Sequence, residues 1–141
     1  MNEWPPDSAA SRLIGAGHAV QARLEAVLEP LGLSLAKFGV LANLATAGEP
    51  LPLHTLAERC ACVRSNITQL VDRLEADVLV ARHTDPHDRR SVRAELTPEG
   101  RRRHAAGLDA LQRAEGALLA PLSPEQRKAL LGLLSSLEQA V

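Results

Sequence analysis

A change of hydrophobic period constrains this chain most. From Arg64 to Asp77 the apolar residues Ile67, Leu70, Val71 and Leu74 fall at i, i+3, i+4 and i+7, the stripe of a helix with one buried face. Directly afterwards, Leu79 to Thr84 and Ser91 to Leu96 read as strands. In the second, Val92, Ala94 and Leu96 alternate with Arg93 and Glu95, a period of two. Between them lies D-P-H-D-R-R at 85–90, where Asp-Pro begins a turn. A helix that runs straight into a β-hairpin must share one core with it, and few folds do this.

The flanking patterns narrow the choice. Upstream, Leu13, Ile14, Val20, Leu24, Val27, Leu28 and Leu31 mark a helix over Ser11–Leu31, stopped by Gly32. Ser34 caps a second helix with Leu35, Phe38, Leu41 and Leu44 inward, ending near Gly48. Glu49-Pro50 is a turn, and L-P-L at 51–53 is too short and proline-bearing for more than an edge bridge. A short helix over His54–Cys60 and a turn at Ala61-Cys62-Val63 lead into the helix from Arg64. Downstream, Thr97-Pro98 supplies a capping hydroxyl and then proline at the first helical position. That long helix runs to about Ala120, and Ser123 and Gln126 open another at capping-box spacing, with Leu130, Leu133, Leu134, Leu137 and Val141 apolar.

This order predicts a mainly α fold with a small antiparallel β-ribbon, a winged helix-turn-helix. One domain over 1–141 is expected, with the winged module at 34–100. The helical segments 8–32 and 101–141 lie outside that module. Their apolar stripes need a partner, and a second copy of the chain, a homodimer, is the economical one.

Composition excludes several classes. No apolar run approaches the ~18 residues of a membrane span. The start, M-N-E-W-P-P-D-S, has an acid and two prolines where a secretion signal has a basic start and an apolar stretch, so a cytoplasmic protein is expected. Net charge is −1, yet Arg59 to His104 holds ten arginines and seven acids, against six basic and ten acidic residues elsewhere. A mildly basic middle between acidic ends fits a central nucleic-acid surface. Trp4 and Phe38 are the only aromatic residues, which argues against base stacking on single strands or RNA. No Gly-rich phosphate loop, activated nucleophile or cluster of metal ligands is visible, and the one His-x-x-x-His spacing among the five histidines, His83 and His87, falls across the hairpin tip rather than along a helix. The chain is therefore read as no enzyme, with no cofactor and no metal.

Candidate binding residues follow from the same elements. Arg64, Ser65, Asn66, Thr68 and Gln69 crowd the first turns of their helix, the end that enters a major groove. Asn and Gln can pair bidentately with adenine, and Ser and Thr can serve either base type or phosphate. Arg73 lies further along, within reach of an ion pair with Asp72, Glu75 or Asp77. At the hairpin tip, arginine suits a narrow minor groove, whose potential attracts guanidinium. An aspartate two residues earlier could hold it in a forked pair. Arg101-Arg102-Arg103 opens the long helix against its macrodipole, for phosphate contact or as a solvated face. Cys60 and Cys62 are too cramped for an easy disulfide. They are two small packing residues or a redox switch.

Four stretches together resemble the MarR family of bacterial transcription regulators. They are L-A-E-R at 56–59, S-N-I-T-Q-L-V-D-R-L-E-A-D at 65–77, D-P-H-D-R-R-S at 85–91 and L-T-P-E-G-R at 96–101. The resemblance implies a homodimer on palindromic double-stranded DNA, often a repressor, often released by a small aromatic or phenolic ligand. It implies that Asp88 braces Arg90 in the minor groove while Arg89 and Arg73 reach phosphate. His18 and Phe38 fall near where family ligand pockets form, and packing roles are the alternative. Other readings are a redox- or metal-responsive regulator of the same fold, or a winged-helix module that binds protein and not DNA.

Two positions depart from the family pattern. Glycine is usual where Val78 stands, and valine tolerates a left-handed backbone badly, at about 1–2 kcal/mol. Val63 occupies an N-cap position that its side chain cannot serve. Strain is expected at the first.

Overall fold

The computed structural model describes residues 5–60 and 64–141. Helix α1 spans Ala9–Leu28, capped by Ser8, and passes into a 3₁₀ turn at Glu29–Leu31. Pro30 has no N–H to continue an α-helical ladder, which explains why the helix expected to Leu31 changes pitch. Helix α2 spans Leu35–Ala47, with the Ser34 hydroxyl accepting from Lys37 N–H. Strand β1 is only Leu51–Pro52, and α3 covers Leu53–Arg59. Helix α4 is Arg64–Ala76, β2 Val80–Asp85, β3 Asp88–Leu96, α5 Pro98–Leu119 and α6 Pro124–Ala140. The expected capping box at Ser123 and Gln126 is formed in both directions.

The strands make one antiparallel sheet in the order β1-β3-β2. Leu51 pairs with Ala94, so the L-P-L stretch is the edge bridge that its sequence suggests. The wing is longer than expected. Strand β3 starts at Asp88 rather than Ser91, leaving only Pro86 and His87 as the turn.

One core joins the module. Leu28 of α1, Val40 and Leu41 of α2, Leu56 of α3, Ile67, Val71 and Leu74 of α4, and Leu79 beside the sheet are each 0% exposed. Burying such a side chain contributes ~1.5–3 kcal/mol. The stripe read from the sequence of α4 is therefore the face that seats it. The outer helices differ. No residue of α6 is buried, and Leu131 and Leu133 are about two-thirds exposed.

The junction between α4 and the wing decides the geometry of both. Val78 has φ 61°, the left-handed region, and is the only non-glycine residue with positive φ among those described. Its N–H donates to the Glu75 carbonyl at 3.0 Å, and Leu79 N–H to the Leu74 carbonyl at 2.9 Å. These are the two bonds of a Schellman termination, with Leu74 and Leu79 as its apolar contact. The corner is secured from α5. Thr97 Oγ1 donates to the Val78 carbonyl at 2.6 Å and accepts from Gly100 N–H at 2.9 Å. Thr97 N–H donates to the Leu79 carbonyl at 3.2 Å. A Cβ on Gly100 would lie 2.0 Å from the Leu79 oxygen, so only glycine lets α5 approach this closely.

The expected strain at Val78 is thus present in the backbone. Its side chain is 65% exposed, so little packing would be lost on removing it. Val78→Gly relieves the left-handed cost but adds unfolded-state entropy. The net gain should raise Tm by about 2–5 °C, measurable by calorimetry; an unchanged or lower Tm would refute strain at this corner.

Candidate nucleic-acid interface

Helix α4 divides into faces. Ile67, Val71 and Leu74 point into the core, while Asn66, Thr68, Gln69 and Arg73 are exposed. Asn66, Gln69 and Arg73 line a shallow cleft with Leu70 and with Ala36 of α2. The three acids weighed as partners of Arg73 are engaged elsewhere: Asp72 and Glu75 with Arg82, and Asp77 with Lys37 at 3.5 Å. Among the described residues Arg73 makes no ion pair, so its guanidinium is available to solvent. The side chains of Arg64 and Ser65, together with Cys62 and Val63, lie outside the described residues. Cys60 is half-buried, with Asn43 Nδ2 3.5 Å from its sulfur.

The wing tip is built differently from the arrangement implied by the resemblance. Asp88 Oδ1 accepts from the backbone N–H of Arg90 at 3.0 Å, and no ion pair joins their side chains. The braced guanidinium is that of Arg93. Its Nε and Nη2 lie 3.1 and 3.0 Å from Asp85 Oδ2. Asp85 is nearly buried, at 7% exposure, and its other oxygen accepts from His87 N–H at 2.8 Å. One carboxylate thereby closes the two-residue turn and locks the strand leaving it. Pairing then slips: Thr84 faces Val92 but Asp85 faces Asp88. One step on β2 spans four on β3, so Arg89, Arg90 and Ser91 are left out of the ladder as a bulge, which re-aims side chains. Both Arg89 and Arg90 are exposed and carry no ion pair among the described residues.

Beyond the tip, His83 Nε2 lies 2.7 Å from Glu95 Oε2. The Arg101-Arg102-Arg103 run separates by function. Arg102 and Arg103 both pair with Glu99, at 2.7 and 3.3 Å. Arg103 also donates to the Leu31 carbonyl, tying α5 to the end of the 3₁₀ turn. Arg103 is thereby held between two elements, and in this run Arg101 alone makes no ion pair among the described residues. The Arg102 and then the Arg103 guanidinium hold the Glu99 carboxyl below its ordinary range.

The proposed ligand residues are not brought together. His18 is exposed on α1, whereas Phe38 stacks on His104 of α5, with ring centroids 5.3 Å apart and planes 14° from parallel. A Cβ at Gly107 would lie 3.0 Å from the Phe38 ring. Burial pushes the His104 imidazole pKa down. An apolar groove of about 580 Å³ opens instead between α1, α5 and α6, lined by residues including Val20, Leu24, Leu108, Leu118, Leu131 and Leu134.

A model of the MarR family matches residues 31–91. Over 69 residues the chain is 39% identical to the uncharacterized HTH-type transcriptional regulator YkoM of Bacillus subtilis, covering 49% of this chain and 44% of that protein. The chain thus aligns with less than half the length of this curated relative. The crystal structure of a probable transcriptional regulator from Pseudomonas aeruginosa superposes with a TM-score of 0.83 at 30% identity, covering 93% of this chain and 97% of that one. The chain belongs to the MarR family. A further member of this structural group, the transcriptional repressor CouR bound to a 23-mer DNA duplex, matches with a TM-score of 0.84 at 27% identity, over 97% and 99% of the two chains. These MarR-like neighbours are regulators, not enzymes. Among the described residues no helix is long and apolar enough to cross a membrane, and no three His, Cys, Asp or Glu side chains form a metal-holding group.

The sequence reading missed the Asp85–Arg93 brace and the Arg82 contacts, because each joins residues of separate elements that meet only in the fold. Asp85 gives a test in acid. The His87 N–H, and after it the Arg93 guanidinium, hold its carboxyl below the usual range against the opposing effect of burial. A depressed folded pKa contributes stability that is present above the unfolded value and lost as pH falls through the folded one. Asp85→Asn should therefore lower Tm at neutral pH, and the deficit should shrink below about pH 4. Melting curves of parent and variant across that range check it; a deficit independent of pH would assign Asp85 no role as an anion.

Proposed function

We propose that this MarR-family chain is a sequence-specific regulator of transcription that binds double-stranded DNA as a homodimer and acts as a repressor. The observation that carries the reading is the pairing of two exposed surfaces on one module with a shared core. The first is the exposed Asn66, Gln69 and Arg73 face of α4, with Thr68 exposed on the adjoining side of the helix. The second is the ladder-free Arg89-Arg90 bulge at the wing tip.

In this reading α4 enters a major groove, where amides and hydroxyls read base edges while Arg73 holds phosphate. The wing reaches the neighbouring minor groove with Arg90, and Arg89 takes phosphate. Asp88 serves Arg90 through its backbone, setting the turn from which the guanidinium extends. Arg64 and Ser65, in the first turn of the same helix, are included in this reading on their sequence position alone. The module at 34–100 does the reading, and segments 8–32 and 101–141 form the dimer.

The exposed leucines support the dimer. Leu13, Ile14, Val20, Leu108, Leu131, Leu133 and Leu137 are each at least 41% exposed, and together with the groove they form more apolar surface than a monomer normally leaves in water. A second copy laid against them would bury it. Two-fold symmetry would then ask for a palindromic operator. A small aromatic ligand that wedges between these helices and the module would alter the spacing of the two reading heads. The Phe38–His104 stack, at the junction of α2 and α5, is where such a ligand would compete for an aromatic face. A dimer seated on a promoter excludes other proteins from it, the sense in which repression is proposed.

A salt titration of binding to a duplex carrying the promoter upstream of its own gene tests this. Affinity should fall by about 10³–10⁵ between about 50 and 200 mM salt if six to ten phosphates are contacted. Arg90→Ala should cost roughly 1–2 kcal/mol of specific binding with Tm unchanged, and Asp88→Ala less. Binding by both variants as tight as the parent's would remove the wing from the interface. For the dimer, Leu131→Glu combined with Leu134→Glu should convert it to monomer in sedimentation equilibrium, with a weakened affinity for the palindrome; a monomeric parent would refute the assembly.

A further inference from the structure

Arg82, in the middle of β2, reaches back to α4 at three points. Its guanidinium bonds the carboxylate of Asp72, donates to the Thr68 carbonyl at 3.2 Å, and lies 3.7 Å from Glu75 Oε1. Its backbone N–H donates to Glu75 Oε2 at 3.0 Å. Thr68, Asp72 and Glu75 stand at i, i+4 and i+7, one stripe along two turns of the helix. We propose that Arg82 is a positioning residue for DNA reading, fixing the angle between α4 and the wing so that both reach their grooves together. The inference rests on the DNA-binding reading above.

The geometry asks for such a residue. The wing leaves α4 at Val78, whose left-handed backbone costs energy and whose side chain packs against little. The corner is held on the α5 side by Thr97. On the α4 side the cross-tie is Arg82, three residues before Asp85, where the bracing of the tip begins. A planar guanidinium offers its donors in a fixed, spread fork that sets the direction of each contact, whereas the three donors of a lysine ammonium rotate about one point. Arg82 is also half-sheltered, with 26% of its side chain exposed, so it is not spread over solvent as the tip arginines are.

A simpler role would be charge neutralisation, since two acids on a reading helix would repel phosphate. The two roles separate experimentally. The probe is a duplex selected by the parent protein from a randomised library. Arg82→Lys keeps the charge and loses the fork; Arg82→Met loses both. Each should weaken binding by about tenfold. Adding Asp72→Asn and Glu75→Gln to Arg82→Met removes the repulsion but not the loose angle, so binding should stay weak. Combined with Arg90→Ala, Arg82→Lys should cost less than the two effects taken separately, because both act through placement of the wing.

Parent-like affinity in Arg82→Lys, recovery of parent affinity in the triple variant, or strict additivity with Arg90→Ala would each overturn positioning. Circular dichroism checks folding; should Arg82→Met not fold, the Arg82→Lys cycle carries the test alone. Failure of the parent to enrich any duplex would overturn the DNA reading itself, and this inference with it.

Discussion

The structure turns on the corner where α4 stops and the wing begins. Two backbone bonds end the helix there, from Val78 to Glu75 and from Leu79 to Leu74. One threonine from the start of α5 holds the result, with its hydroxyl on the Val78 carbonyl and its N–H on the Leu79 carbonyl. Gly100 makes that approach possible, since any side chain would meet the Leu79 oxygen. The direction of the ribbon, the placement of α5 and the exposure of the α4 polar face all follow from this arrangement. Leu74 and Leu79 are fully buried beside it, so the corner rests on an apolar contact.

Charge in the module is sorted with similar economy. Arg82, Arg93, Arg102 and Arg103 are each tied to a carboxylate. Those arginines hold elements together. Arg73, Arg89 and Arg90 are exposed without an ion pair among the described residues, and these belong to the surface proposed for DNA. A near-neutral chain can thus present a basic face, because Asp72, Glu75, Asp77, Asp85, Glu95 and Glu99 are engaged in pairs with bases within the module. Surface pairs of this kind contribute little stability singly, and their value here is in fixing geometry.

Much of this was legible beforehand. The stripe on α4, the caps at Ser34, Thr97 and Ser123, and the edge bridge at Leu51 are local patterns, and each formed as read. The positive φ at Val78 was legible through the resemblance, since the family usually has glycine at that position. The wing tip was not. Asp88 was expected to brace a guanidinium by its nearness in sequence, whereas the brace is Asp85 and Arg93, eight residues apart and adjacent only once the strands pair. Arg103 likewise looked free, and its partner, the Leu31 carbonyl, is seventy-two residues away.

What the sequence by itself determined was the class of fold and the order of its elements, because hydrophobic period, capping residues and turn chemistry act within a few residues of one another. It also set which polar side chains a buried stripe would leave facing outward on α4. Only the tertiary structure decided which arginines are structural and which are available, since an ion pair is a matter of distance between elements that sequence separation does not measure. The same holds for the bulge that frees Arg89 and Arg90. It arises from the register between β2 and β3, and register is fixed by the core face and the Asp85 turn acting together.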